Sequence, residues 1–145
     1  MNTASAYPIA QILLTRGLRP SPQRVAVFGC LMSNKGHLTV DMIYKKLLPD
    51  YPILSRTTVY QTLEALHECG LVLKIVSDGE MCFEAKTSEH GHFICTQCKS
   101  ISNIDYPAQT SFPQPSDDYH VKETHLYYRG LCPKCRAKKH DKTGQ

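Results

Sequence analysis

The sequence has no long hydrophobic run. Its longest apolar stretches are residues 9–14, interrupted by Gln11, and residues 71–76, interrupted by Lys74. A bilayer span needs about 20 consecutive apolar residues, so neither stretch is long enough. The first residues also lack the basic start of a secretory signal. We therefore expect a cytoplasmic protein that has no membrane partner.

The sequence also lacks internal repeats, and its 145 residues leave room for one ordinary domain or two small ones. We expect no long multidomain enzyme in a chain of this length. Hydrophobic residues make up 41% and charged residues 21%, which excludes wholesale disorder. Lysine and arginine exceed aspartate and glutamate by 17 to 13. The resulting net charge of +4 permits a nucleic acid as partner but does not require one.

Cysteine is abundant, and its pattern favours metal binding. An odd count of seven thiols without an export signal argues against a disulfide framework. Two C-x-x-C pairs can together complete the tetrahedral sulfur shell of one structural Zn²⁺ per chain, with a redox dithiol or two incidental pairs as the alternatives. The expected zinc ligands are Cys95, Cys98, Cys132 and Cys135. The other cysteines, on apolar stripes and expected to be buried, are Cys30, Cys69 and Cys82.

Apolar residues recur with helical period from residue 9 to about residue 69, which predicts four helices. Gly17 and Gly70 are placed to end the first and the fourth. The hydroxyl side chains expected to cap the second, third and fourth helices at their N-termini are Ser21, Thr39 and Ser55. The side chains expected to face inward are Val25, Phe28, Leu31 and Met32, then Met42, Ile43, Leu47 and Leu48, then Val59, Leu63 and Leu66.

Short β-like runs follow the fourth helix. Residues 71–76 and 81–85 are joined through Asp78-Gly79, the preferred dipeptide of a two-residue hairpin turn. Helices followed directly by a hairpin predict a winged helix-turn-helix. Further β-like runs cover residues 93–104 and 121–128, and the polar, basic tail 136–145 is expected to fray.

The fourth helix carries polar side chains of the types that reach base edges, thymine methyls and phosphates. These candidate DNA contacts are Arg56, Thr57, Thr58, Tyr60 and Gln61. We expect Tyr60 and Gln61 to read bases and Arg56 to lie mostly on phosphate. The alternative is an ordinary solvated helix face.

A second cluster of metal donors contains no cysteine. In an extended segment, His90 and His92 share a face, so both imidazoles can reach one ion. Glu84, Glu89 and His37 are further donors suited to Fe²⁺, Mn²⁺ or Zn²⁺. The alternative is a pair of solvent-exposed loop histidines.

Taken together, these motifs resemble the ferric uptake regulator (Fur) family of metal-dependent dimeric transcription factors. The matching stretches are residues 19–24, 37–41 with 43–44, 58–63, and 90–95 with Cys98. The resemblance covers nearly the whole chain and implies a regulator, not an enzyme. It implies an α+β fold, in which an N-terminal winged helix-turn-helix is followed by a small α/β dimerisation domain with a Cys₄ zinc site. The implied boundaries are 1–85 for the DNA-binding domain, 86–89 for a hinge, and 90–145 for the dimerisation and metal-binding domain.

The resemblance also implies a regulatory metal, Fe²⁺ or Mn²⁺, shared between the domains. Its ligands map onto His37, Glu84, His90, His92 and Asn103. The peroxide-sensing branch of the family, PerR, is the most similar, although it commonly has aspartate at the positions of Glu84 and Asn103.

By this resemblance, the metal-loaded homodimer represses transcription from palindromic, A·T-rich operators in double-stranded DNA. Metal-catalysed oxidation of His37 or His90 by hydrogen peroxide then releases the DNA. An iron-responsive repressor is the alternative within the family, and Glu84 leans toward it. A zinc hydrolase at the His/Glu site and a Cys₄ ribbon for protein contacts are alternatives from other classes, but neither explains an exposed Tyr60 and Gln61 on a winged helix.

Overall fold

The computed structural model describes residues 3–34, 36–107 and 109–140. The chain divides into two compact units, Met1–Thr87 and Ser88–Gln145. This break lies within residues 86–89, the segment that the sequence suggested as a hinge. None of the helices in the described part of the chain combines the length and the apolar character that a membrane span requires.

The described part of the first unit contains four helices. The last three begin where the sequence predicted, whereas the first begins at Thr3, before the predicted start of the helical pattern at residue 9. The four helices are α1 (Thr3–Thr15), α2 (Pro22–Met32), α3 (Val40–Leu47) and α4 (Arg56–Glu68). The predicted N-caps are confirmed, because each hydroxyl oxygen accepts a backbone N–H three residues on, at 3.3 Å for Ser21, 3.2 Å for Thr39 and 3.0 Å for Ser55. Gly17 and Gly70 follow α1 and α4 with φ of 73° and 74°, a backbone conformation that favours glycine.

A three-stranded sheet forms the wing. Strands β2 (Val72–Ser77) and β3 (Glu80–Ala85) make the predicted hairpin, whose turn residues Asp78 and Gly79 have φ of 50° and 83°. A third strand, β1 (Leu38–Thr39), pairs with the other side of β3 and gives the order β1-β3-β2. Strand β1 was not predicted from the sequence, because two residues are too few to show the alternation of apolar and polar side chains that marks a strand.

The core of the first unit is formed by α1 to α4 and by residues from all three strands of the sheet. Leu13, Leu63 and Phe83 are fully buried in it. Two methionines expected to face inward do not, since Met32 is 46% and Met42 45% exposed. Met32 is the last residue of α2, where the packed face ends. In α3 the buried stripe follows Ile43 and Leu47, four residues apart, and Met42 lies beside that stripe.

The second unit is built on a mixed sheet. Strands β4 (Gly91–Cys95), β5 (Ile101–Ile104) and β6 (Tyr127–Gly130) are ordered β5-β4-β6, with β4 antiparallel to β5 and parallel to β6. The strand expected at 121–128 therefore starts later, at Tyr127, and residues 121–126 precede it without strand structure.

The expectation of a frayed tail is wrong for residues 136–140. They belong to a helix, α5 (Pro133–His140), whose first residue is a proline, the residue type favoured at that position. The Arg136 N–H donates to the Cys132 carbonyl at 2.9 Å. Residues 141–145 lie outside the described part of the chain.

Candidate metal centres and nucleic-acid interface

Four cysteines converge at one end of the second unit. The Sγ atoms of Cys95, Cys98, Cys132 and Cys135 all lie within 4.8 Å of one another. The Sγ atoms of Cys98 and Cys132 are 3.8 Å apart. A tetrahedron with Zn–S bonds of about 2.3 Å has S···S edges of about 3.8 Å. The cluster therefore fits a structural zinc site, and a redox dithiol would not require both pairs to meet.

Each C-x-x-C pair is positioned by a tight turn. Cys95 ends β4, and its carbonyl accepts the N–H of Lys99 at 3.0 Å, so Cys98 folds back toward it. Cys132 and Cys135 lie on either side of the start of α5. The Thr96 N–H donates to the Gly130 carbonyl at 2.8 Å, which joins the two turns. The sheet thus brings together thiols that are far apart in sequence.

The backbone around the cluster stabilises thiolates. Hydrogen bonds from the N–H groups of Cys132 and Cys98 lower the pKa of Cys95 to about 6. The hydroxyl and N–H of Ser100 lower the pKa of Cys98. Burial and the neighbouring thiols instead raise the pKa of Cys135 to about 12. A cation at the centre of the cluster would stabilise the Cys135 thiolate and offset its raised pKa, and Zn²⁺ supplies such a charge.

The first unit brings His37 and Glu84 into contact. His37 Nε2 lies 3.0 Å from Glu84 Oε2, and each side chain is 8% exposed. This contact follows from the strand that sequence analysis missed. Because Leu38 pairs with Phe83 in an antiparallel register, the next residues outward, His37 and Glu84, lie opposite each other.

The second unit holds the other nitrogen donors. The rings of His90 and His92 lie with centroids 4.8 Å apart, as expected for residues on one face of an extended segment. His92 is buried in β4, and Asn103 of β5 is its direct antiparallel partner. Directly opposed residues point to the same face, so Asn103 lies on the side of the sheet that carries His92, although it is exposed. Glu89 is exposed.

The outward face of α4 carries the predicted DNA contacts. Arg56, Thr57, Tyr60 and Gln61 are exposed, and the opposite stripe of α4 is buried. Thr58 differs from these, because it is half-buried and its hydroxyl lies 2.9 Å from that of Ser55.

A cleft of about 550 Å³ is lined by Gln61, by Arg19, which precedes α2, and by Arg24 in the first turn of α2. The Arg24 Nη1 donates to the Arg19 carbonyl at 2.7 Å. Arginine is the residue type best suited to phosphate, so this cleft extends the basic part of the α4 face. No role was predicted for these arginines from the sequence. Their positions on either side of an N-capping serine could have indicated a basic surface at the start of α2.

A winged helix with a polar, exposed α4, followed by a small sheet with a Cys₄ site, defines a zinc-containing DNA-binding regulator. The sequence profile of the ferric uptake regulator family matches residues 15–129. The chain belongs to the ferric uptake regulator family.

Individual relatives agree with this assignment. The chain is 33% identical over 126 residues to the peroxide-responsive repressor PerR of Staphylococcus aureus (strain Mu50), a match that covers 84% of this chain and 85% of the relative. Its fold is similar to that of the ferric uptake regulator Fur of Helicobacter pylori, with a TM-score of 0.69 at 19% identity and 92% of each chain covered. The fold is also similar to that of PerR from Streptococcus pyogenes, with a TM-score of 0.51 at 22% identity, covering 90% of this chain and 92% of that one.

Proposed function

We propose that this regulator is a cytoplasmic, homodimeric repressor that senses peroxide through a regulatory metal. The observation that carries the proposal is the pair of preformed donor sets. His37 and Glu84 meet in the first unit, and His90 and His92 meet in the second. The 33% identity to a peroxide-responsive repressor of Staphylococcus aureus supports the choice of stimulus.

The donor chemistry fits Fe²⁺ or Mn²⁺. Imidazole nitrogens and a carboxylate oxygen suit these ions, whereas the four thiols of the Cys₄ cluster suit zinc. His37, Glu84, His90 and His92 would hold one ion jointly, with the Asn103 amide oxygen as a fifth ligand. Such joint binding favours a single arrangement of the two domains about residues 86–89. Metal would thereby select the form that binds DNA.

In that form, α4 of each protomer would enter a major groove of a palindromic A·T-rich operator. Tyr60 and Gln61 are exposed on α4 and would contact base edges there. Gln61 can bond to N6 and N7 of adenine through its amide group. Two winged domains related by a two-fold axis would then read the two half-sites.

Peroxide would act on a histidine of the donor sets. Bound Fe²⁺ supplies the redox chemistry that activates hydrogen peroxide. His37 or His90 gains one oxygen atom at an imidazole carbon, and the second oxygen of the peroxide leaves as water. The oxidised ring is a poorer donor, so the joint site loses a ligand and the operator is released.

An iron-responsive repressor is the second candidate. It is favoured by Glu84, whose side chain is one methylene longer than the aspartate common in peroxide-sensing members. In that case, iron availability alone would control DNA binding, and the histidines would stay intact.

The mass of the histidine peptides separates these two functions. Zinc-containing protein is loaded anaerobically with Fe²⁺ or, as the control, with Mn²⁺, and treated with stoichiometric hydrogen peroxide. A peroxide sensor gains about 16 Da, one oxygen atom, in the Fe²⁺ sample alone, and peptide fragmentation should locate this oxygen on His37 or His90 and not on a methionine or cysteine, which also take up oxygen. An unchanged mass on every histidine peptide would contradict peroxide sensing and favour the iron-responsive repressor.

A further inference from the structure

Two residues of α3 hold Arg56, the first residue of α4. The Nε and Nη2 atoms of Arg56 each lie 2.8 Å from Asp41 Oδ1. The Arg56 Cζ lies 4.2 Å from the centre of the Tyr44 ring. The Arg56 side chain is nevertheless 57% exposed. Its guanidinium is therefore fixed in plane and direction while it stays open to a ligand.

The guanidinium is fixed by one of its edges. It has two edges, each able to donate a pair of N–H bonds. Asp41 occupies the edge formed by Nε and Nη2. The edge formed by Nη1 and Nη2 has no acceptor among the described residues. This second edge has the geometry that pairs with the O6 and N7 acceptors of guanine in a major groove.

The fixed orientation of Arg56 favours a base over a phosphate as its partner. Lys45 Nζ lies 2.6 Å from Asp41 Oδ2, and Lys45 and Arg56 hold the pKa of Asp41 below its usual range. Asp41 is thus a carboxylate at neutral pH, and it holds both cations while the three groups together keep a charge of +1. A phosphate contact depends mainly on charge, whereas a pair of bonds to guanine also requires the fixed orientation that Asp41 and Tyr44 give Arg56. The first residues of a recognition helix are also those that contact base edges.

We propose that Asp41 is a positioning residue that orients Arg56 to read a guanine in each half of the operator. The inference rests on the proposed DNA binding by α4. It replaces the phosphate contact that the sequence suggested for Arg56 with a base contact. A guanine in each half-site remains compatible with an A·T-rich operator.

The experiment begins with selection of DNA by the full-length, zinc-containing wild type. A pool of random double-stranded 30-mers (about three helical turns) is selected in Mn²⁺, and each guanine of the selected sequence is then exchanged for adenine. Binding is measured by fluorescence anisotropy for wild type, Asp41→Ala, Arg56→Ala and the control Lys45→Gln. The control removes the other cation from Asp41 and leaves the Arg56 contact in place.

For wild type, exchange of one symmetry-related guanine should weaken binding by about 5- to 150-fold per contact. Asp41→Ala and Arg56→Ala should lose this preference at that position and at no other. Lys45→Gln should keep it. A role confined to the packing of α3 on α4 would shift the unfolding temperature and leave the base preference unchanged.

Two results would overturn the inference while the proposed function stands. In one, Asp41→Ala retains the wild-type preference for guanine at every position. In the other, Arg56→Ala weakens binding equally on all sequences and lowers the salt dependence by about one phosphate contact. Failure of the wild type to select any sequence in Mn²⁺ would instead contradict the proposed function itself.

Discussion

Replacement of Cys98 by serine should unfold the second unit and leave the first unit folded. The substitution removes one of four sulfur ligands that lie within 4.8 Å of one another. Zinc prefers thiolate to a serine hydroxyl, so the variant should lose its metal. The second unit depends on this metal because its small hydrophobic cluster consists of three of the ligands, with Phe93 and Leu131 packed against them.

The expected magnitude follows from what remains without zinc. Ile94 is fully buried, and its burial contributes about 1.5–3 kcal/mol. A structural zinc site of this kind contributes about 10–16 kcal/mol in small domains. The folding free energy lost with zinc therefore exceeds what the apolar side chains of the second unit can offset. The first unit has its own core of buried residues around Phe83 and should keep its structure.

The assay combines zinc content with amide NMR spectra of the full chain. In Cys98→Ser, zinc should fall from one per chain to none, and the signals of residues 88–140 should collapse to unfolded positions. Signals of residues 9–87 should persist. Cys69→Ser is the matched control, because Cys69 is half-buried, lies outside the cluster and donates to the Leu66 carbonyl as a serine hydroxyl also can. A zinc-free Cys98→Ser protein with native signals throughout would refute this reasoning.

Four further substitutions test the core, the DNA face and the regulatory site. Phe83→Ala should lower the free energy of unfolding of the first unit by about 3–5 kcal/mol in a urea titration, because Phe83 is fully buried. Met42→Ala, at a 45% exposed position, should change it by less than about 0.5 kcal/mol, and equal losses would contradict the burial pattern. Gln61→Ala should reduce discrimination of the selected operator against single-base variants by about 1–3 kcal/mol, and unchanged discrimination would exclude Gln61 from base reading. Asn103→Asp should tighten Mn²⁺ binding in a titration at constant pH, because it adds a negative charge to the proposed ligand set; unchanged affinity would place Asn103 outside that set.

Local features of the fold could be predicted from sequence because each depends on neighbouring residues. The serine and threonine N-caps of α2, α3 and α4 act over three residues, and the Asp78-Gly79 turn acts over two. The prediction for the tail was wrong because its structure depends on distant residues. The composition of the tail indicates a frayed segment, whereas α5 begins at Pro133, between Cys132 and Cys135. These two cysteines meet Cys95 and Cys98, which lie far away in the sequence.

The sequence predicted which types of residue form each candidate site, but not how those residues are arranged in space. Cys-x-x-C spacing identifies zinc ligands even though the pairs are far apart, since the spacing within each pair is local. The contact between His37 and Glu84 depends on a two-residue strand that no periodicity reveals. The contact between Asp41 and Arg56 joins two helices across fifteen positions of sequence, and only the packing of α3 against α4 creates it.

A regulatory metal and peroxide should control operator binding in opposite directions. The most direct measurement follows fluorescence anisotropy of the selected operator with zinc-containing protein. Addition of Fe²⁺ or Mn²⁺ should produce binding, and stoichiometric hydrogen peroxide should then release the DNA from the Fe²⁺ form while the Mn²⁺ form stays bound. Operator binding that persists in the Fe²⁺ form after peroxide, or that needs neither metal, would contradict the account.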